Sequence, residues 1–222
     1  MDLTRERFVR MVEAVSLNNQ TTYEETVRLA EAARKYHFLI VYGLNCFTPH
    51  LIEMLKGTDT MVGAPVGGSP IGADLTEVKL YDAKKLMDMG CQEVDIIMNV
   101  SFLRSGMYDP IREELKKMRD LTRNTILKVI IESPMLTPDE IRTASTLVAD
   151  SGADFVKTAT GACGPTTLDQ VRIIKETVGD RIQIKAAGGL NGMDTVKALL
   201  DMGVTRLGLG YQKAVALAEE LR

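Results

Sequence analysis

Two lysines bring the first suggestion of chemistry. Lys157 stands in Asp154-Phe-Val-Lys-Thr-Ala-Thr-Gly161 and Lys185 in Gln183-Ile-Lys-Ala-Ala-Gly-Gly189. Each closes a short apolar run and is followed by small residues. An ammonium leaves water unfavourably unless it is paired or neutralised. Two on one wall lower each other's pKa, and a neutral amine is the nucleophile that Schiff-base chemistry with a carbonyl requires. The plainer alternative is that both snorkel from strand ends and serve solubility. Asp95, flanked by Val94, Ile96 and Ile97, is the third ionisable residue set in an apolar run. A buried carboxylate needs partners, and neighbouring ammonium groups would supply them. A structural salt bridge without catalytic duty is the competing account, because ion pairs also perturb pKa values.

The elements that must position these residues are legible as an alternation. Short apolar runs occupy residues 38–42, 60–64, 94–98, 126–131, 154–157, 182–185 and 206–208. They are apolar on both faces, as strands of a helix-covered parallel sheet are. Helix signals fall between them. Thr137-Pro138-Asp139-Glu140 offers an N-cap, a first-turn proline and a capping-box glutamate, and Ser151-Gly152 stops that helix. Thr167 with Gln170 forms a second capping box, ahead of the stripe Leu168, Val171 and Ile174. Met193, Val196, Leu199 and Leu200 stripe a helix that ends near Gly203, and Thr48-Pro49 opens another. An eighth strand would close a barrel, and residues 11–15 are the N-terminal candidate, reading as helix as easily as strand. The expectation is one α/β domain over residues 1–222, a compact TIM (β/α)8 barrel. An open doubly wound sheet is disfavoured, since Gly63-Ala-Pro-Val-Gly-Gly68 is too proline-broken to serve as a dinucleotide fingerprint.

Composition narrows the function. The chain is 45% hydrophobic and 26% charged with net charge −3, so no basic surface invites nucleic acid or anionic lipid. Cys46, Cys91 and Cys163 are odd in number and far apart, neither a disulfide framework nor a zinc pattern, and they suit a reducing compartment. No window reaches the ~18 apolar residues of a membrane span, and the first eight residues are charged where a signal peptide is apolar. A cytoplasmic location is expected. His37 and His50 lie near the starts of a strand and a helix, away from the expected active face.

At the level of motifs, the chain resembles the deoxyribose-phosphate aldolase family, class I aldolases with a TIM-barrel fold. The resemblance rests on Glu93-Val-Asp-Ile-Ile-Met-Asn99, Leu127-Lys-Val-Ile-Ile-Glu132, Gly152-Ala-Asp-Phe-Val-Lys-Thr-Ala-Thr-Gly161 and Lys185-Ala-Ala-Gly-Gly189, in order, over about residues 60–208. It implies Lys157 as the Schiff-base lysine, Lys185 as the second lysine that depresses the first one's pKa, and Asp95 as the acid in proton transfer. It further implies aldehyde and sugar-phosphate substrates, no metal, no organic cofactor, and a homodimer or higher homo-oligomer. Thr158, Gly161, Gly188, Gly189, Gly208 and Gly210 are the expected substrate and phosphate contacts, with Asn45 a polar contact after the second strand.

Three stretches depart from the family pattern. Its Ile-Asp-His-Thr-like first strand corresponds to residues 12–15, with Glu13 alone standing in for the aspartate. Ala159 and Ala162 replace a serine and a lysine of the lysine motif. Gly208-Leu209-Gly210-Tyr211 replaces a hydroxyl-rich turn. Barrels commonly build phosphate sites from the loops after strands 7 and 8, so the reaction class is better specified than the acceptor. Gly188 and Gly189 also suit a plain tight turn, and Lys213 would restore charge only if it points inward. An aldolase for an unphosphorylated acceptor, or a non-catalytic metabolite-binding barrel, stands as an alternative. An isomerase would want a carboxylate base and a neutral histidine. Glu132 and Lys128, near the end of the fifth run, could line the mouth or be solvated.

Overall fold

A computed structural model of the protein describes residues 3–67 and 72–221. Its strands are β1 (Val12–Ser16), β2 (Ile40–Gly43), β3 (Met61–Val66), β4 (Glu93–Ile97), β5 (Ile126–Ile130), β6 (Phe155–Lys157), β7 (Gln183–Ala187) and β8 (Arg206–Gly210). The helices are α1 (Arg5–Val9), α2 (Tyr23–Tyr36), α3 (Thr48–Met54), α4 (Thr76–Met89), α5 (Val100–Arg104), α6 (Tyr108–Leu121), α7 (Pro138–Asp150), α8 (Leu168–Val178), α9 (Gly192–Asp201) and α10 (Tyr211–Glu220). Each strand pairs in parallel with the next, and β8 returns to β1, so the sheet closes into the expected eight-stranded barrel.

The ambiguous segment at residues 11–15 is resolved as β1. Glu13 pairs with Ile40 on one side and Gly208 on the other. Periodicity alone could not decide this, because backbone hydrogen bonds to two distant strands settle it. Gly68 of the proline-broken glycine run lies outside the described residues.

Both anticipated capping boxes form. Thr137 accepts from the Glu140 N–H and Thr167 from the Gln170 N–H, while each N3 side chain accepts from its cap residue. Such caps satisfy amide groups that the first helical turn leaves unpaired.

Two environments result from the alternation of side chains along each strand. Outward residues such as Val41, Val62, Val94, Leu127, Val129, Val156, Ile184 and Leu207 are buried in a continuous apolar shell with the helices. The inside of the barrel is different. Glu13, Tyr42, Glu93, Asp95, Lys128, Lys157 and Lys185 are all buried, and they bond across strands that are not neighbours in the sheet. A barrel centre usually packs branched apolar residues; this one is packed largely with charges.

Candidate active site

Asp95, in the middle of β4, is the hub. Its Oδ2 accepts from Lys157 Nζ at 2.8 Å and from Lys185 Nζ at 2.7 Å. Its Oδ1 accepts from Tyr42 Oη at 2.7 Å and from Lys128 Nζ at 3.2 Å. Sheet register explains the first pair, because Lys157 ends β6 directly beside Lys185 of β7. Lys185 also donates to Glu13 of β1, and Lys128 to Glu93 of β4. Below them, Arg206 of β8 lies 3.5 Å from both Glu13 and Glu93.

Electrostatics follow this geometry. Burial opposes a charge on Asp95, yet Lys128, Lys157 and Lys185 together hold its carboxyl well below the usual range. Burial dominates at Lys185 and outweighs its carboxylates, so its pKa is lowered to about 8. Lys128 is raised despite its burial, because Asp95, Glu13 and Glu93 surround it. Lys157 is the lysine nearest the open end, with a side chain 10% exposed against 0% for Lys185 and Lys128.

Three of the anticipated residues, Lys157, Lys185 and Asp95, thus meet at one oxygen. The rim residues sit differently. The Thr158 hydroxyl donates to the Ala187 carbonyl at 2.9 Å and accepts from the Ala187 N–H and from Thr166 Oγ1, so it ties β6 to β7. Gly161 and Gly188 pack backbone to backbone, both at positive φ, and a Cβ on either would come within 3.2 Å of the other. A Cβ on Gly189 would meet Pro165 at 2.8 Å, and one on Gly208 would meet Ala187 at 2.6 Å. Gly210 caps α10 with open space beside it. Asn45 stands exposed on a 3-10 turn after β2, donating to the carbonyl of Pro65, the register neighbour of Asp95, at 3.1 Å. Lys213 bonds Asn191 at the exposed edge, and the Tyr211 hydroxyl donates to Glu25 at 2.7 Å.

Lys128 and Glu132 are not solvated; both are fully buried. Glu132 adopts φ 53°, ψ 53°, accepts the Thr160 N–H at 3.0 Å with one oxygen, and leaves the other without a partner. Burial raises its pKa. Cys163 is half-buried with its thiol pushed up by burial and by Glu132, and Cys91 is pushed up to about 12. His37 is exposed beside Asp59, on a cleft of about 1170 Å³ that also holds Arg10, Lys35, Tyr36 and Glu219 and none of the site residues. Among the described residues no group of three or more His, Cys, Asp or Glu is arranged to hold a metal, and no helix is long and apolar enough to cross a membrane.

Sequence reasoning passed over Tyr42, Glu93 and Arg206. The signal for Glu93 was present, because residues 93 and 95 share one face of a strand. Tyr42 in an apolar run reads as ordinary core.

Residues 56–209 match the family described as DeoC/LacD family aldolase. A deoxyribose-phosphate aldolase of Sinorhizobium medicae is 40% identical over 201 residues, 90% of this chain and 81% of that protein. One from Staphylococcus carnosus is 35% identical over 202 residues, 90% of this chain and 91% of its own. A solved aldolase designated QR15 superposes with a TM-score of 0.89 at 29% identity, covering 96% of this chain and 95% of that one.

Proposed function

The chain belongs to the DeoC/LacD aldolase family, and from that premise we propose that it is a Schiff-base aldolase cleaving 2-deoxy-D-ribose 5-phosphate reversibly to acetaldehyde and glyceraldehyde 3-phosphate. The observation that carries the residue roles is the single Asp95 oxygen bonded to both Lys157 and Lys185.

Lys157, the more exposed of the pair, is the nucleophile. Its neutral Nζ attacks the carbonyl carbon of acetaldehyde, and uptake of a proton with loss of water leaves a protonated imine. Loss of a proton from the adjacent carbon turns the imine into an enamine. That carbon attacks the acceptor aldehyde, whose oxygen takes up a proton, and water hydrolyses the imine to free the sugar phosphate and the amine. Cleavage runs the same steps in reverse. Lys157 must shed a proton before it attacks. Asp95 Oδ2 bridges Lys157 to Lys185, whose own pKa burial lowers to about 8, and Lys185 takes the role of the second lysine beside the nucleophile that the family resemblance implies. Glu13 and Lys128 keep Lys185 and Asp95 in place from beneath.

Borohydride reduction in the presence of acetaldehyde, followed by peptide mass mapping, tests the assignment. A reduced adduct on Lys157 is the expected result. An adduct on another lysine, or on none, overturns it.

The turn at Gly208–Tyr211 favours a second reading of the acceptor. Tyr211 spends its hydroxyl on Glu25 and Lys213 bonds Asn191, leaving backbone N–H groups of the glycine turns for an anion. Turnover of deoxyribose is therefore compared with turnover of its 5-phosphate, and a strong preference for the free sugar would replace the phosphorylated substrate. A cytosolic, homo-oligomeric enzyme completes the proposal, with light scattering as the check on assembly.

A further inference from the structure

Tyr42 is a large side chain at 0% exposure in the centre of the barrel, and the fold makes room for it: a Cβ on Gly63 of β3 would overlap its ring. A phenol has one proton to donate and two acceptor positions, and here both kinds are used. Tyr42 Oη donates to Asp95 Oδ1 at 2.7 Å and accepts from Lys128 Nζ at 2.9 Å. The ring face lies 4.6 Å from Lys185 Nζ, 5.5 Å from Lys128 Nζ and 5.7 Å from Lys157 Nζ, within the range at which a ring attracts a cation. The charged groups around it are Glu13 on β1, Glu93 and Asp95 on β4, Lys128 on β5, Lys157 on β6 and Lys185 on β7.

We infer that Tyr42 is a positioning residue for the reaction: its hydroxyl, with Lys128, saturates Asp95 Oδ1 and so reserves Oδ2 for the two lysines. The terminal torsion of an aspartate is broad and roughly two-fold, so a carboxylate held only by mobile ammonium groups could swing away from the pair. A phenol supplies a fixed donor without adding charge. It stays protonated, because burial first, then Asp95, Glu13 and Glu93, raise its pKa. This inference rests on the roles given above to Lys157, Lys185 and Asp95.

Tyr42→Phe keeps the ring and removes the hydroxyl. With the native circular dichroism spectrum retained, kcat on deoxyribose 5-phosphate is expected to fall about ten- to a hundredfold while KM changes less than about twofold, the span of one hydrogen bond to a charged group. The midpoint of imine trapping against pH moves to lower values, because a loosened Asp95 supports the ammonium forms less well. In an Asp95→Asn background the same change costs nothing further. A Tyr42→Phe enzyme with unaltered kcat and midpoint, or an equal loss with Asp95→Asn already present, overturns the inference while leaving Lys157 as nucleophile. Absence of trapping in the unaltered protein removes both. Should Tyr42→Phe fail to fold, 3-fluorotyrosine at position 42 preserves the shape and alters the donor; an unmoved midpoint then overturns the role.

Discussion

At Lys157 and Lys185 the same side chain does two different jobs because these register neighbours differ in access to water, Lys157 being 10% exposed and Lys185 0%. Lys157→Leu is expected to abolish imine formation and turnover. Lys185→Leu removes the second lysine beside the nucleophile, so imine formation slows at neutral pH and partly recovers at higher pH, as read by trapping rates across pH. Full activity of Lys185→Leu at pH 7 would refute that role. Lys157, Lys185 and Asp95 could be picked out of the sequence because an ionisable group inside an apolar run is costly and so conspicuous. Their supports were less visible. Tyr42 hides among apolar neighbours, Glu93 and Arg206 stand at strand starts where charge is unremarkable, and Glu13 lies in a strand whose existence the local pattern left open. The place of Lys128 depends on the pairing of β5 with β4, whose register sets it directly beside Asp95, and a run read by itself does not reveal its register.

At the scale of elements, the turns after β6 and β7 fix the height of the two lysines. Gly161 and Gly188 touch at positive φ, a conformation that costs other residues of order 1–3 kcal/mol. Gly188→Ala adds to that strain a contact at 3.1 Å to Ala159 and 3.2 Å to Gly161. It is expected to destabilise the protein by about 1–3 kcal/mol and to lower kcat more than tenfold, as thermal unfolding and steady-state rates would register. Thr137→Ala is the contrasting case. It removes the cap of α7, costing about 1 kcal/mol of stability and leaving turnover unchanged. Caps and glycine turns were readable locally because their causes span four residues. The strand at 12–16 was not, because its hydrogen-bond partners are at 40–43 and 207–210.

For the whole molecule, the charged interior links stability to pH. Lys185 titrates near 8 in the fold against 10.5 when exposed, so between these values the unfolded chain binds more protons and stability rises with pH. Lys128 and Tyr42 are both raised, so their contributions begin to be lost only as pH approaches the unfolded values, and they cancel in a comparison with Lys185→Met. Urea unfolding of the unaltered protein should therefore gain about 2 kcal/mol from pH 8 to pH 10 relative to Lys185→Met. An equal pH response in both proteins would contradict the burial of an ionisable Lys185. The closed barrel itself was readable from seven apolar runs, whereas its ionic filling was not, since strand alternation names an inward face without saying what meets there. That filling has a consequence for electroneutrality. Four cations, Lys128, Lys157, Lys185 and Arg206, face three anions, Glu13, Glu93 and Asp95. The ion-paired cluster, from which the buried Glu132 stands apart on the Thr160 N–H, is one charge out of balance when fully ionised, and release of a single proton from a lysine restores it, so the balanced state is the one that already contains a free amine. Substitutions divide accordingly: replacing a carboxylate, as in Glu93→Gln, widens the imbalance, whereas replacing a cation, as in Lys128→Met, closes it and is the change the fold should better survive.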